Sequence, residues 1–68
     1  MGRMSAEARA RLAGEAELIR RHRKEFERLL KKHDRIPAIV ALVDKYKIEY
    51  SQTVTTARSR FEAAASAA

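Results

Sequence analysis

Apolar residues recur along this chain in two lanes that mirror each other across Asp34-Arg35-Ile36-Pro37. Upstream, Leu12, Ala16, Ile19, Arg23, Phe26, Leu30 and His33 fall at alternating steps of four and three. Downstream, Ile36, Val40, Val43, Lys47, Tyr50, Val54, Ala57, Phe61 and Ala64 do the same. A repeat of about 3.5 residues marks helices that pack side by side over several turns. Two such lanes joined by a tight connection predict an all-α fold. The expected architecture is a long antiparallel two-helix hairpin, coiled-coil-like, as one small helical domain over residues 1–68.

The first helix is expected over 5–33. Ser5 is a suitable N-cap, and Glu7 sits in the first turn, where the helix dipole favours an acid. The interior is rich in Ala, Leu, Glu, Arg and Lys, all strong helix formers. Glu7–Arg11, Glu17–Arg21 and Glu27–Lys31 place acid before base one turn apart. Lys31, Lys32 and His33 suit the C-terminal end of the dipole. Gly14 reads as the weak spot, costing about 1 kcal/mol against alanine. A turn over 34–36 follows, with Asp34 able to cap a second helix over 37–64 and Pro37 in its first turn. That helix carries many β-branched residues, from Ile36 to Thr56, and so depends more on packing. The Ala-rich end, 65–68, is expected to fray. No internal repeat beyond the heptads is read.

Folding at 34–35 pairs Leu30 with Val40, Phe26 with Val43, Ile19 with Tyr50, Ala16 with Val54 and Leu12 with Ala57. Large faces small in the outer layers, as interdigitation wants. Arg23 falls opposite Lys47, and like charges are not buried together without an acid. Either both stems snorkel outward, or the lane opens there to receive a partner's acidic group. The expected interface residues are Leu12, Ile19, Arg23, Phe26, Leu30, Val43, Lys47, Tyr50 and Phe61. A chain of 68 residues without cysteine has little core and no disulfide. Such scaffolds commonly self-associate or bind a protein partner, so a homo-oligomer is expected.

Charge changes the picture further. The net charge is +6, and it is concentrated. Residues 1–19 balance, whereas residues 20–35 hold eight bases against Glu25, Glu27 and Asp34. On a helical wheel Arg20, Arg21, Lys24, Arg28, Lys31, Lys32 and Arg35 lie opposite Ile19, Phe26 and Leu30. They form a stripe about 20 Å long at 1.5 Å per residue. Such a stripe suits a phosphate backbone or an acidic protein surface. The plain alternative is a solvated face that maintains solubility. No aromatic side chain interleaves the stripe, which points to duplex or structured nucleic acid and away from base stacking.

A rival reading breaks the second helix near 47–51. Leu42, Tyr46 and Ile48, followed by Val54 and Ala57, resemble the helix-turn-helix pattern of bacterial regulators over about 20 residues. Here Lys47 takes the glycine position, and the turn Lys47-Ile48-Glu49-Tyr50 is longer than the pattern's. A helix starting at Ser51 would expose Gln52, Thr55, Thr56 and Ser59, flanked by Arg58 and Arg60. Gln52, Thr55 and Arg58 are then candidates to meet base edges in a major groove. The unbroken lane from Ile36 to Ala64 favours one helix; Ile48, off that lane, favours two.

Catalytic chemistry is not indicated. His22 and His33 are eleven apart with no carboxylate at ligand spacing, so neither a metal nor a cofactor is expected. His33 reads as the end of the first helix and His22 as an edge residue of the lane. Ser51, Thr53 and Ser59 lack a histidine partner, and Gly2 and Gly14 form no phosphate loop. Tyr46 and Tyr50 read as core or interface aromatics. No small-molecule substrate is expected. The longest apolar run, Ile36 to Val43, falls short of the ~20 residues of a membrane span. Met1-Gly2-Arg3-Met4-Ser5 leads into no signal-like stretch, and Glu7, Glu15 and Glu17 argue against a presequence, so the cytoplasm is expected. Together these features predict a small non-enzymatic basic protein that binds nucleic acid through the first helix. The alternative is a helical adaptor or assembly subunit working through its heptad lane.

Overall fold

The computed structural model describes residues 5–67, and nearly all of these are helical. The elements are α1 (Ala6–Arg21), α2 (Arg23–Lys32), α3 (Arg35–Lys45) and α4 (Lys47–Ala67). The expectation placed on Met1 to Met4 and the fraying of Ala68 lie outside the described residues. Ser5 caps α1 as its chemistry predicts, its Oγ accepting the Ala8 N–H at 3.1 Å. The chain reverses at His33-Asp34, so that α1 lies along α4 and α2 along α3. Asp34 takes the N-cap backbone position with φ −67° and ψ 170°, but its side chain makes no capping bond. Pro37 sits in the first turn of α3, and the connection is tighter than the expected 34–36. At the far end α4 stays helical to Ala67, where fraying from 65 was expected.

The hairpin is thus present, but both arms bend. The expected helix over 5–33 is interrupted at His22 (φ −117°, ψ 43°) and the expected helix over 37–64 at Tyr46 (φ −111°, ψ 44°). Tyr46 lies just ahead of the 47–51 segment where a break was considered. Each interruption is a single residue. The Phe26 N–H reaches the His22 carbonyl and the Tyr50 N–H reaches that of Tyr46, both at 2.9 Å. Ser51 lies inside α4 and starts no separate recognition helix.

The core consists of Ala10, Leu18, Phe26, Ala38 and Leu42. Ile19, Leu29, Ile39, Val43, Tyr46 and Tyr50 pack around its centre. The register predicted from the hinge holds approximately, since Val54 meets position 14 where position 16 was expected. The rotation of α1 does not. Ala16, Leu12, Leu30, Ile36 and Val40 are exposed, while Gly14 is buried. A Cβ on Gly14 would sit 2.7 Å from Val54 Cγ2 and 3.0 Å from Tyr50 Cε1. The glycine is therefore the point of closest approach between the arms and not a defect. A heptad lane selects the largest apolar residues, but helices approach closest where residues are smallest. Arg23 and Lys47 are both exposed, so their stems run outward and no like-charge layer exists.

Candidate nucleic-acid interface

The two bends face each other across the hairpin. The His22 ring stacks on the Tyr46 ring, centroids 3.8 Å apart and planes within 8°. His22 Nε2 lies 3.1 Å from Glu49 Oε2, and the Tyr46 hydroxyl donates to Glu25. Arg21 Nη1 donates to Glu49 at 3.2 Å, while Lys45 donates to Glu25. The exchange is reciprocal: each arm's glutamate holds the other arm's ring and base. Arg21-His22-Arg23-Lys24-Glu25 and Lys45-Tyr46-Lys47-Ile48-Glu49 share one order, base, ring, base, any residue, glutamate. The likeness extends from Gly14, Leu18, Ile19 and Phe26 to Ala38, Leu42, Val43 and Tyr50, each 24 residues on. This pseudo-repeat is the main feature the heptad reading missed, although its spacing is written in the sequence.

The clamp fixes the charge of its acids. Glu25 is held below its ordinary carboxylate value chiefly by the hydrogen bond from Lys45, then by that from Tyr46. Glu49 is lowered chiefly by Arg21, against its partial burial, with His22 adding to the effect. The bond to Glu25 also pushes the Tyr46 hydroxyl up. Both glutamates are anions at neutral pH, and their charge is consumed between the arms.

Outside the clamp the predicted stripe divides. Arg20 and Arg21 close on Glu17 at 2.6 and 2.8 Å and face a polar cleft between α1 and α4. Lys24, Arg28, Lys31 and Lys32 project from α2 and Arg35 opens α3. All five are exposed, and none has an ion pair with another described residue. Lys45 joins Arg28, Lys31 and Lys32 around one hollow, an addition the sequence reading missed. The base-reading candidates are not brought together. Gln52 lines the α1–α4 cleft with Arg60, Thr55 is exposed beyond it, and Arg58 lies 3.6 Å from Glu7.

Of the expected interface residues, Phe26 is buried, and Ile19, Val43, Tyr50 and Phe61 are half-buried. Leu12, Arg23, Leu30 and Lys47 are exposed. Among the described residues no group of three or more His, Cys, Asp or Glu is placed to hold a metal, and no helix is long and apolar enough to cross a membrane. No protein-family model, curated protein or solved structure matches the chain.

Proposed function

We propose that this chain is a small, non-enzymatic cytoplasmic protein that binds the backbone of duplex or structured nucleic acid through the bases of its hinge end. One observation carries the reading. Lys24, Arg28, Lys31, Lys32 and Arg35 stand exposed without partners among the described residues, while of the nearby acids Glu25 is held by Lys45 and Tyr46 and Glu27 lies 3.7 Å from Arg23. The helix α2 is about 15 Å long, enough to follow several phosphates of a duplex strand. Arg20 and Arg21 add less, because Glu17 and Glu49 already hold them.

The test is fluorescence anisotropy with a short DNA or RNA duplex at a series of salt concentrations. Five phosphate contacts give a slope of log K against log salt of about −4 to −5. Reversing Lys24, Arg28 and Lys31 to Glu should abolish binding while the circular dichroism spectrum is unchanged. Binding that survives the triple reversal removes α2 as the site.

A second reading, an assembly subunit or adaptor, is favoured by a different observation. Leu12, Leu30, Ile36, Val40 and Ile48 are large apolar side chains left exposed on a chain this small. An acidic protein surface would meet the same α2 bases, and a competition between such a polyanion and the duplex separates the two partners.

A further inference from the structure

The hairpin is a single layer of helices. It measures 43 × 27 × 15 Å, and a layer one helix thick leaves both broad faces in water, whereas helical folds enclose their core between layers. The faces differ in chemistry. On one side of the buried row Ala10, Gly14 and Leu18 lie Ala13 and Glu17, which open onto the polar cleft with Arg20, Glu49, Gln52 and Arg60. On the other side Leu12, Glu15 and Ile19 share one face of α1. Glu15 lines a shallow groove with Ile39, Val40, Val43, Asp44 and Lys47 of the opposite arm.

This second face is apolar and incomplete. Leu12 is 50% exposed, Ile36 74% and Val40 62%. The face also repeats itself about the clamp: Leu12, Ile19 and Arg23 correspond to Ile36, Val43 and Lys47, each 24 residues on. We propose that the Leu12–Ile19–Ile36–Val40 face receives a second copy of this chain, closing a four-helix bundle.

Three features select that occupant. The groove in this face carries both signs of charge, with acidic Glu15 and Asp44 beside basic Lys47. Glu15, Asp44 and Lys47 have no ion pair with another described residue. A mixed-sign patch is self-complementary across a two-fold axis, where acid can meet base. Its acids repel phosphate and acidic proteins alike. The second feature is area. The broad side of the whole layer, 43 by 27 Å, leaves room around the patch for the roughly 800 Å² per partner that a stable complex buries. The third is need, because five buried apolar side chains are a small core for an isolated domain. The proposal rests on the assembly reading, whose partner it names, and is independent of the nucleic-acid reading, which uses α2 and Arg35.

Sedimentation equilibrium of the full chain, free of nucleic acid and from about 1 to 500 µM, tests it. The expected result is a dimer. Val40→Glu and, on the other arm, Leu12→Glu should each weaken it by about tenfold or more. Both side chains face water in the isolated hairpin, so circular dichroism should show helix retained at high concentration. Thr56→Glu, on the polar cleft, should leave the dimer unchanged. A monomer at every concentration, or a dimer that Thr56→Glu breaks and Val40→Glu does not, overturns the second copy. A fluorescent apolar dye then separates the two ideas. Dye binding lost in Val40→Glu keeps the assembly reading with another partner, and no dye binding removes that reading as well.

Discussion

The two halves of the hairpin, on either side of the His22–Tyr46 stack, are built from one repeat and differ in what they show to solvent. In the open-ended half α1 meets α4 through Ala10 and Gly14, with Val54 and Tyr50 closing onto the glycine. Charges there pair: Glu7 with Arg11 and Arg58, and Glu17 with Arg20 and Arg21. In the hinge half Phe26 and Leu29 of α2 pack in one cluster with Ala38 and Leu42 of α3. Lys24, Arg28, Lys31, Lys32 and Arg35 there have no ion pair with another described residue. The inner positions of the repeat agree, but the outer ones diverge: Lys24, Arg28, Lys31 and Lys32 of α2 correspond to Ile48, Gln52, Thr55 and Thr56 of α4. Packing and surface charge are therefore separable here, and the basic cluster is not required by the fold.

The sharpest way to break this comparison is at the shared core. Leu18→Ala and Leu42→Ala occupy corresponding buried positions and should each cost about 3 kcal/mol. In a domain this small that brings unfolding close to room temperature, read by thermal melts at fixed concentration. A much smaller loss for either one would show that the two halves are not packed as equivalents.

The next effect belongs to one half alone. Gly14→Val forces methyl groups against Val54 and Tyr50 and should cost about 1–3 kcal/mol through overpacking. Adding Val54→Ala to Gly14→Val should recover part of the loss, as chemical denaturation of the single and double variants would show. A gain in stability from Gly14→Val would mean that the arms do not approach at this point.

Acid should weaken the clamp between the halves. Glu25 and Glu49 are depressed in the folded state, so the stability they give is present above the unfolded carboxylate value. It is lost as the pH falls through their lower folded values, below about pH 4. Glu25→Gln and Glu49→Gln should each flatten the acid limb of a plot of Tm against pH. An unchanged limb in both would remove the reciprocal ion pairs as a source of stability.

The smallest effect on stability should accompany the largest on binding. Giving α2 the outer residues of α4, as Lys24→Ile, Arg28→Gln, Lys31→Thr and Lys32→Thr, removes exposed charge only. Stability should change by no more than about 0.5 kcal/mol per site, while duplex affinity is lost. Retained affinity would place any nucleic-acid contact elsewhere.

Much of this was legible in the sequence. The hinge between two apolar lanes predicted a reversal over 34–36, next to the one found at His33-Asp34, and it set the register to within two residues at Gly14 and Val54. Ser5 announced its cap, and the clustering of bases after Arg20 located the charged end. The face of each helix was not legible, because Ala10 and Gly14 carry no apolar weight in a heptad count yet mark the closest contact. The bends were hidden for a related reason. Nothing local to His22 or Tyr46 ends a helix; each interruption accompanies a ring partner on the other arm.

By itself the sequence determined that the chain is helical, where it reverses and which end is basic, since propensity, periodicity and charge are properties of neighbouring residues. Only the tertiary structure decided which side of each helix is buried, that Glu25 and Glu49 are spent between the arms, and that Leu12, Ile36 and Val40 face water. Those outcomes depend on how closely the two arms can approach, and the volume of Gly14 and the stacking of His22 on Tyr46 set that distance across 24 or more residues of chain.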